Sequence, residues 1–204
     1  EAVYGIPEIF HKEISKARLV ACPGCYPTSS LFPLIPFLDQ GIIESGGIII
    51  DSKSGTSGGG KSNNINLLHS ESGEGISAYG LINHRHTSEI ELTLSEMTGS
   101  DIQLTFTPHL VPIIRGMFTT IYGRLRDPGL TSDDCKILLE NYYRKYTNIK
   151  ILPVGKYPST KWVRNTNNIY ISVKVDTRNG RIIFLSVIDN LLKGQAGQAI
   201  QNLN

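Results

Sequence analysis

Residues 18–40 read RLVACPGCYPTSSLFPLIPFLDQ, and three local signals in this stretch set the fold class. Residues 18–21 form a short β-type run, Pro23-Gly24 breaks it, and residues 26–40 carry an apolar face suited to a helix kinked by Pro33 and Pro36. Strand, sharp turn and helix in immediate succession announce an α/β alternation, and the rest of the chain repeats it. Residues 47–53 (GIIIDSK) predict a buried strand feeding a polar, Gly-rich loop over 54–64. Ser88 with Glu91 has capping-box spacing, Ile90, Leu94 and Met97 recur at helical intervals, and Gly99 supplies a stop, so a helix is expected directly after His86. Residues 101–107 and 116–126 predict strands flanking a turn at 108–115, and 131–146 an amphipathic helix. Residues 169–176 and 181–188, joined by Asn179-Gly180, predict a hairpin. A last helix over 190–203 contains Gly194 and Gly197, which points to close backbone packing. The expectation is one α+β domain with a mixed sheet.

Composition narrows the function classes. The chain has 204 residues, 40% hydrophobic and 19% charged, enough to bury a core without disulfide or metal staples. Lys and Arg number 20 against 18 Asp and Glu, with no basic run longer than two residues, so nucleic acid is not an expected partner. The longest apolar run, residues 31–38, is interrupted by prolines and far short of the ~20 residues of a membrane span. Three cysteines cannot all pair internally, which favours a reducing, cytoplasmic location.

The sharpest chemical signal is Cys22-Pro23-Gly24-Cys25-Tyr26-Pro27-Thr28 at the strand–helix junction. A thiol at a helix N-terminus feels partial positive charge that favours the thiolate, which makes Cys25 a candidate nucleophile. Two small buried side chains at a turn, or a C-x-x-C redox pair, are the competing readings. Gly55 to Ser62 matches G-x-x-x-x-G-K-[ST], but residues 63–75 lack the apolar period of the helix a phosphate cradle needs. A flexible loop approaching an anionic ligand remains. His84-Arg85-His86 sets two imidazoles on one side of an extended segment with Glu89 nearby. Acid–base work is the sharper reading, ahead of metal ligation, because a helix N-terminus disfavours the imidazolium of His86. His109 and Arg115 bracket a turn suited to holding a carboxylate or phosphate.

Five blocks in one order, VACPGCYPTS (20–29), IIDSKSGTSGGGKS (49–62), GLINHRHTSEIE (80–91), FTPHLVPIIRGMFTTIY (106–122) and VIDNLLKGQAGQAIQNLN (187–204), resemble the N-acetyl-gamma-glutamyl-phosphate reductases. The resemblance implies an NADPH-dependent reduction of an acyl phosphate to a semialdehyde in arginine biosynthesis, on a fold like the catalytic and dimerisation domain of the semialdehyde dehydrogenase type, with a homo-oligomer as the full-length form. Reduction of an aminoadipyl phosphate in lysine biosynthesis is the alternative. It also implies roles: Cys25 the nucleophile, passing through a thioester, His86 the acid–base, and Glu89 its orienting partner. Ser54, His84, His109 and Arg115 would contact substrate, Ser57, Gly58 and Asn190 would lie at the cofactor, and no metal is required. No G-x-G-x-x-G precedes Cys25 and the first residue is Glu1, so the chain is expected to lack the N-terminal NADP-binding part. Residues 1–189 would form the catalytic domain, and the helix of 190–204 would dock on the missing part. An Asn is usual where Cys22 stands.

Overall fold

The computed structural model describes residues 2–60 and 73–204. Two short strands, β1 (Val3–Tyr4) and β2 (Val20–Ala21), pair in parallel on either side of helix α1 (Pro7–Ile14). Helix α2 (Cys25–Asp39) follows, then β3 (Ile48–Ser54), a 3-10 turn (Thr56–Gly59), β4 (Ser77–Ala78) and helix α3 (Arg85–Thr98). Next come β5 (Leu104–Leu110), β6 (Met117–Arg124), helix α4 (Ser132–Tyr143), β7 (Ile149–Ile151), β8 (Ile169–Asp176) and β9 (Arg181–Ile188). The chain ends in a π-helical turn (Leu192–Ala196) that runs into helix α5 (Gly197–Leu203). The Lys61-Ser62 end of the phosphate-loop-like match lies outside the described residues.

β4 to β9 and β3 form one seven-stranded sheet in the order β4-β5-β3-β6-β9-β8-β7, parallel at β3/β5 and β7/β8 and antiparallel elsewhere. The mixed α+β sheet expected from the sequence is therefore present, and Asn179-Gly180 does close the β8–β9 hairpin, with Gly180 at φ +69°. One expectation is corrected: β5 and β6 do not flank a simple turn. β5 extends through Pro108 and His109 to Leu110, and β3 lies between β5 and β6, paired with both.

Helix α2 spans one face of the sheet over β6 and β9, where Phe37 meets Phe184 edge to face at 4.7 Å. Residues 26–38 are all buried, so α2 is covered on every side where an amphipathic helix was expected. Pro36 leaves the Phe32 carbonyl without its helical donor, and the Tyr143 hydroxyl of α4 donates to that carbonyl at 2.8 Å. The opposite face of the sheet carries Ile49, Tyr122 and Ile183 in one row and Phe118 and Leu185 nearby, all incompletely covered. Burial along β6 alternates strictly between the two faces.

The C-terminal segment packs on this chain's own body. A Cβ at Gly194 would stand 2.7 Å from the Cys25 Cβ, so glycine there allows the π-helical turn to lie directly behind that residue. Lys193 and Glu8, both fully buried, form an ion pair at 2.6 Å, and Gln198 and Asn202 donate to the Gly5 carbonyl.

Candidate active site

Cys25 is the first residue of α2, and the chain reaches it through Gly24 in extended conformation. Burial pushes its thiol up to about 11; the nearby amides of Tyr26 and Cys25 itself oppose this without offsetting it. The helix N-terminus was expected to yield a thiolate, and burial overrides it. Both Cys22 and Cys25 are free thiols; Cys22 is exposed and stands 3.8 Å from Asn202 Nδ2.

The helix carrying the histidines begins earlier than expected. His84 is the N-cap of α3, its Nδ1 accepting the His86 N–H at 3.1 Å, and the helix closes on Gly99 at φ +64°. Ser88 and Glu91 make no capping box: Ser88 Oγ donates to the Arg85 carbonyl, and Glu91 accepts from the Leu104 N–H. His86 thus lies within the first turn of α3, buried, with its ring 4.8 Å from that of His84 and 5.8 Å from that of Tyr26. Burial, then the neighbouring His84 and Arg85 charges, lower its pKa to about 4, so the ring is a neutral base near pH 7. Burial also lowers His84, helped by Arg85.

Glu89 ties these elements together. Its Oε1 accepts from the Tyr4 hydroxyl at 2.7 Å and from the Gly24 N–H at 2.8 Å, while Oε2 stands 4.0 Å from His86 Nε2. One carboxylate on α3 therefore fixes the turn before Cys25 as well as facing the imidazole.

Around this junction lies a cleft of about 480 Å³ lined by Gly24, Cys25, Tyr26, Ser54, Ser57, Gly58, Gly59, Gly60, Tyr79, His84, Arg85, His86, Asn190, Leu191 and Gln195. Seven sequence-selected residues meet there: Cys25, Ser54, Ser57, Gly58, His84, His86 and Asn190. Two do not line it. His109 sits on β5 with Nδ1 3.2 Å from Asp51 Oδ1, and Arg115 faces a separate pocket with Thr160, Lys161 and Arg164. The Arg115 guanidinium is engaged by the buried Asp189 at 2.8 Å and by Asn165 Oδ1 at 2.9 Å. The segment 113–116, read as a turn, holds the Gly-rich loop: the N–H groups of Gly55, Thr56 and Ser57 donate to the carbonyls of Gly116, Ile113 and Ile114.

Sequence reasoning missed the aromatic and second-layer parts of the site. The Tyr26 and Tyr79 hydroxyls lie 2.8 Å apart on the cleft wall, both raised in pKa chiefly by burial. Asp189, Lys193 and Glu8 were also passed over. The Lys193-Gly194 pair, a charge beside a glycine in an otherwise small-residue segment, was the available signal. Among the described residues no group of three or more His, Cys, Asp or Glu side chains is arranged to hold a metal ion.

The sequence model of the family "Semialdehyde dehydrogenase, dimerisation domain" matches residues 25–190. The whole chain is 75% identical to a Prochlorococcus marinus (strain MIT 9515) protein named N-acetyl-gamma-glutamyl-phosphate reductase and 65% identical to the one of that name from strain NATL1A, covering 58% and 57% of them. It thus spans well under two thirds of the length of these curated relatives. Among solved structures, aspartate semialdehyde dehydrogenase II from Vibrio cholerae shares the fold with a TM-score of 0.78 at 18% identity, over 99% of this chain and 67% of that one. Aspartate semialdehyde dehydrogenase from Francisella tularensis does so with a TM-score of 0.75 at 13% identity, over 99% and 70%.

Proposed function

The chain belongs to the semialdehyde dehydrogenase dimerisation-domain family, and from that premise we propose that it is the catalytic, substrate-binding and dimerisation portion of an N-acetyl-gamma-glutamyl-phosphate reductase. The observation that carries the reading is the meeting of Cys25 and His86 at one cleft, with Glu89 bonded to the turn before Cys25. The names of the relatives at 65–75% identity support the glutamyl substrate over the aminoadipyl alternative. The whole enzyme acts in the cytoplasm as an NADP-dependent homo-oligomer. The incompletely covered sheet face with Phe118, Tyr122, Ile183 and Leu185 supports self-association. In the full-length protein, most of the cofactor is bound outside residues 1–204, against the C-terminal segment of residues 190–204, whose Ile200 and Leu203 are exposed.

In the reaction, His86 Nε2 takes the Cys25 thiol proton as Sγ attacks the acyl carbon of N-acetyl-glutamyl 5-phosphate. The new C–S bond and the broken C–O bond to phosphorus leave a thioester and free phosphate. The wall of Gly58, Gly59 and Gly60 carries no side chains, and a Cβ at Gly60 would meet nothing within 4 Å, so these residues would hold the flat nicotinamide ring of the cofactor. NADPH, when bound there, supplies the hydride that reduces the acyl carbon. His86 then returns its proton as the C–S bond breaks, releasing the semialdehyde. Ser54, at the floor of the cleft, contacts substrate; His84 stands beside it. His109 and Arg115 contribute through the β5 strand and the 113–116 segment, since the His109 ring faces Asp51 and the Arg115 guanidinium is engaged by Asp189.

The test uses the full-length protein containing this chain, assayed as phosphate-dependent reduction of NADP by N-acetyl-glutamate 5-semialdehyde. Cys25→Ser abolishes turnover, and His86→Ala lowers it by about 10²–10⁴. Near-normal turnover of Cys25→Ser, or preference for the aminoadipyl homologue, would overturn the reading.

A further inference from the structure

We propose that Asn190 is a positioning residue: its carboxamide suspends the Gly-rich wall of the cleft through Ser57 and does not serve chiefly as a ligand contact. The inference rests on the reading of this cleft as the reductase site. Asn190 is 2% exposed, and both ends of its amide are used within the chain. Oδ1 accepts the Gly116 N–H at 2.7 Å, and Nδ2 donates to Ser57 Oγ at 3.0 Å. A primary amide has two N–H donors, so a single one remains for anything in the cleft.

The backbone of residue 190 is itself anchored. The preceding Asp189 is fully buried, and its carboxylate accepts from Arg115 Nε and from the N–H groups of Asn165, Leu191 and Leu192. A buried carboxylate with this many donors holds its neighbours in one arrangement. Arg115, engaged here, thus acts on the cleft from behind, through Asp189 and Asn190.

The Gly-rich turn needs such a tie. Backbone hydrogen bonds to residues 113–116 stop at Ser57; the Gly58 N–H returns to Gly55 and the Gly60 N–H to Ser57. The Asn190–Ser57 bond is the side-chain link at the point where those backbone ties end. Gly58 is pressed against Ser54 there: a Cβ on it would stand 2.6 Å from Ser54 Oγ and 3.8 Å from Asn190 Nδ2. Asn190, Ser57 and Gly58 therefore form one unit in which the amide sets the height of the wall over Cys25.

A double-mutant cycle decides, read by hydrogen exchange of the peptide spanning residues 55–60 in the full-length protein and by kcat and NADPH KM separately. Ser57→Ala speeds exchange about fivefold to tenfold, the effect of losing one buried hydrogen bond, and Asn190→Leu, which also strips the Gly116 N–H of its acceptor, speeds it at least as much. Combining them adds nothing beyond Asn190→Leu, and NADPH KM follows the same non-additive pattern. Wild-type exchange in Ser57→Ala, or multiplied effects in the double variant, would overturn the proposal and make Asn190 an independent ligand contact. If the wild-type protein fails to reduce NADP with the semialdehyde, the proposed function fails, while the exchange cycle still decides the role of Asn190.

Discussion

The imidazole of His86 lies against Gly24: a Cβ at residue 24 would stand 2.4 Å from His86 Nε2 and 2.7 Å from Cε1. Glycine immediately before the candidate nucleophile is thus what makes room for the candidate base. Its φ of −66° is open to any residue, so the requirement is space and not backbone conformation. Gly24→Ala should fold normally yet push the ring from its seat, lowering kcat by about 10²-fold, the scale of a displacement near 1 Å. Steady-state kinetics with a parallel melting curve checks this; unchanged kcat would contradict the steric argument.

Protonation states give a second prediction. With Cys25 pushed up to about 11 and His86 lowered to about 4, the resting pair at pH 7 is thiol and neutral imidazole, without an imidazolium–thiolate pair. The thiolate fraction then rises tenfold per pH unit across the neutral range. Alkylation of Cys25 by iodoacetamide, in a Cys22→Ser background, should climb with unit slope from pH 6 to 9. A plateau over that interval would reveal a preformed thiolate.

The buried pair of Lys193 and Glu8 supports a third. Burial alone would raise the Glu8 carboxyl, but the Lys193 charge and hydrogen bonds from Lys193, Asn148 and Gln201 outweigh it and hold the pKa below its ordinary 4.5. A lowered folded value means the stabilisation is present above about pH 4.5 and is lost as pH falls below it. Lys193→Met leaves the carboxylate unpaired and should cost about 3–5 kcal/mol in urea unfolding at pH 7, most of it recovered by adding Glu8→Leu. Equal stability of the single and double variants would show that the pair is not the source.

These three predictions differ in how visible their residues were in the sequence. The β8–β9 hairpin and the strand at β3 follow from contiguous signals, Asn-Gly between alternating runs and a bounded apolar run, and the structure has them within a residue or two. Cys25 and His86 were legible because a reactive residue type stands beside a chain reversal. The placement of β3 between β5 and β6 was not, since pairing partners 50 and more residues apart leave no local trace. Glu8 and Lys193 are 185 positions apart, and each reads alone as a solvated charge. The thiol of Cys25 was misjudged for a related reason: the helix N-terminus is local, whereas the burial that dominates it comes from distant segments such as Gly194.

His84 supplies the last prediction, because the start of α3 depends on which of its nitrogens carries the hydrogen. Nδ1 accepts the His86 N–H, so it must be unprotonated, and the neutral ring carries its hydrogen on Nε2. Burial and the Arg85 charge lower the pKa of His84, which keeps that form through the neutral range. Its ring is wedged edge-on against Tyr26, Tyr79 and Phe106, at 5.6, 5.6 and 5.3 Å, so the cap is held by packing as well as by the hydrogen bond. Histidine is not among the favoured N-cap residues, whereas Asn is. His84→Asn should therefore preserve the helix start, while His84→Leu should cost about 1 kcal/mol and loosen the backbone that carries His86. Nitrogen-15 spectra of histidine-labelled protein should show His84 as the Nε2–H tautomer at pH 7, and kcat should survive in the Asn variant while falling in the Leu variant. An Nδ1–H signal, or equal losses in the two variants, would remove His84 from the cap and leave the position of His86 to packing alone.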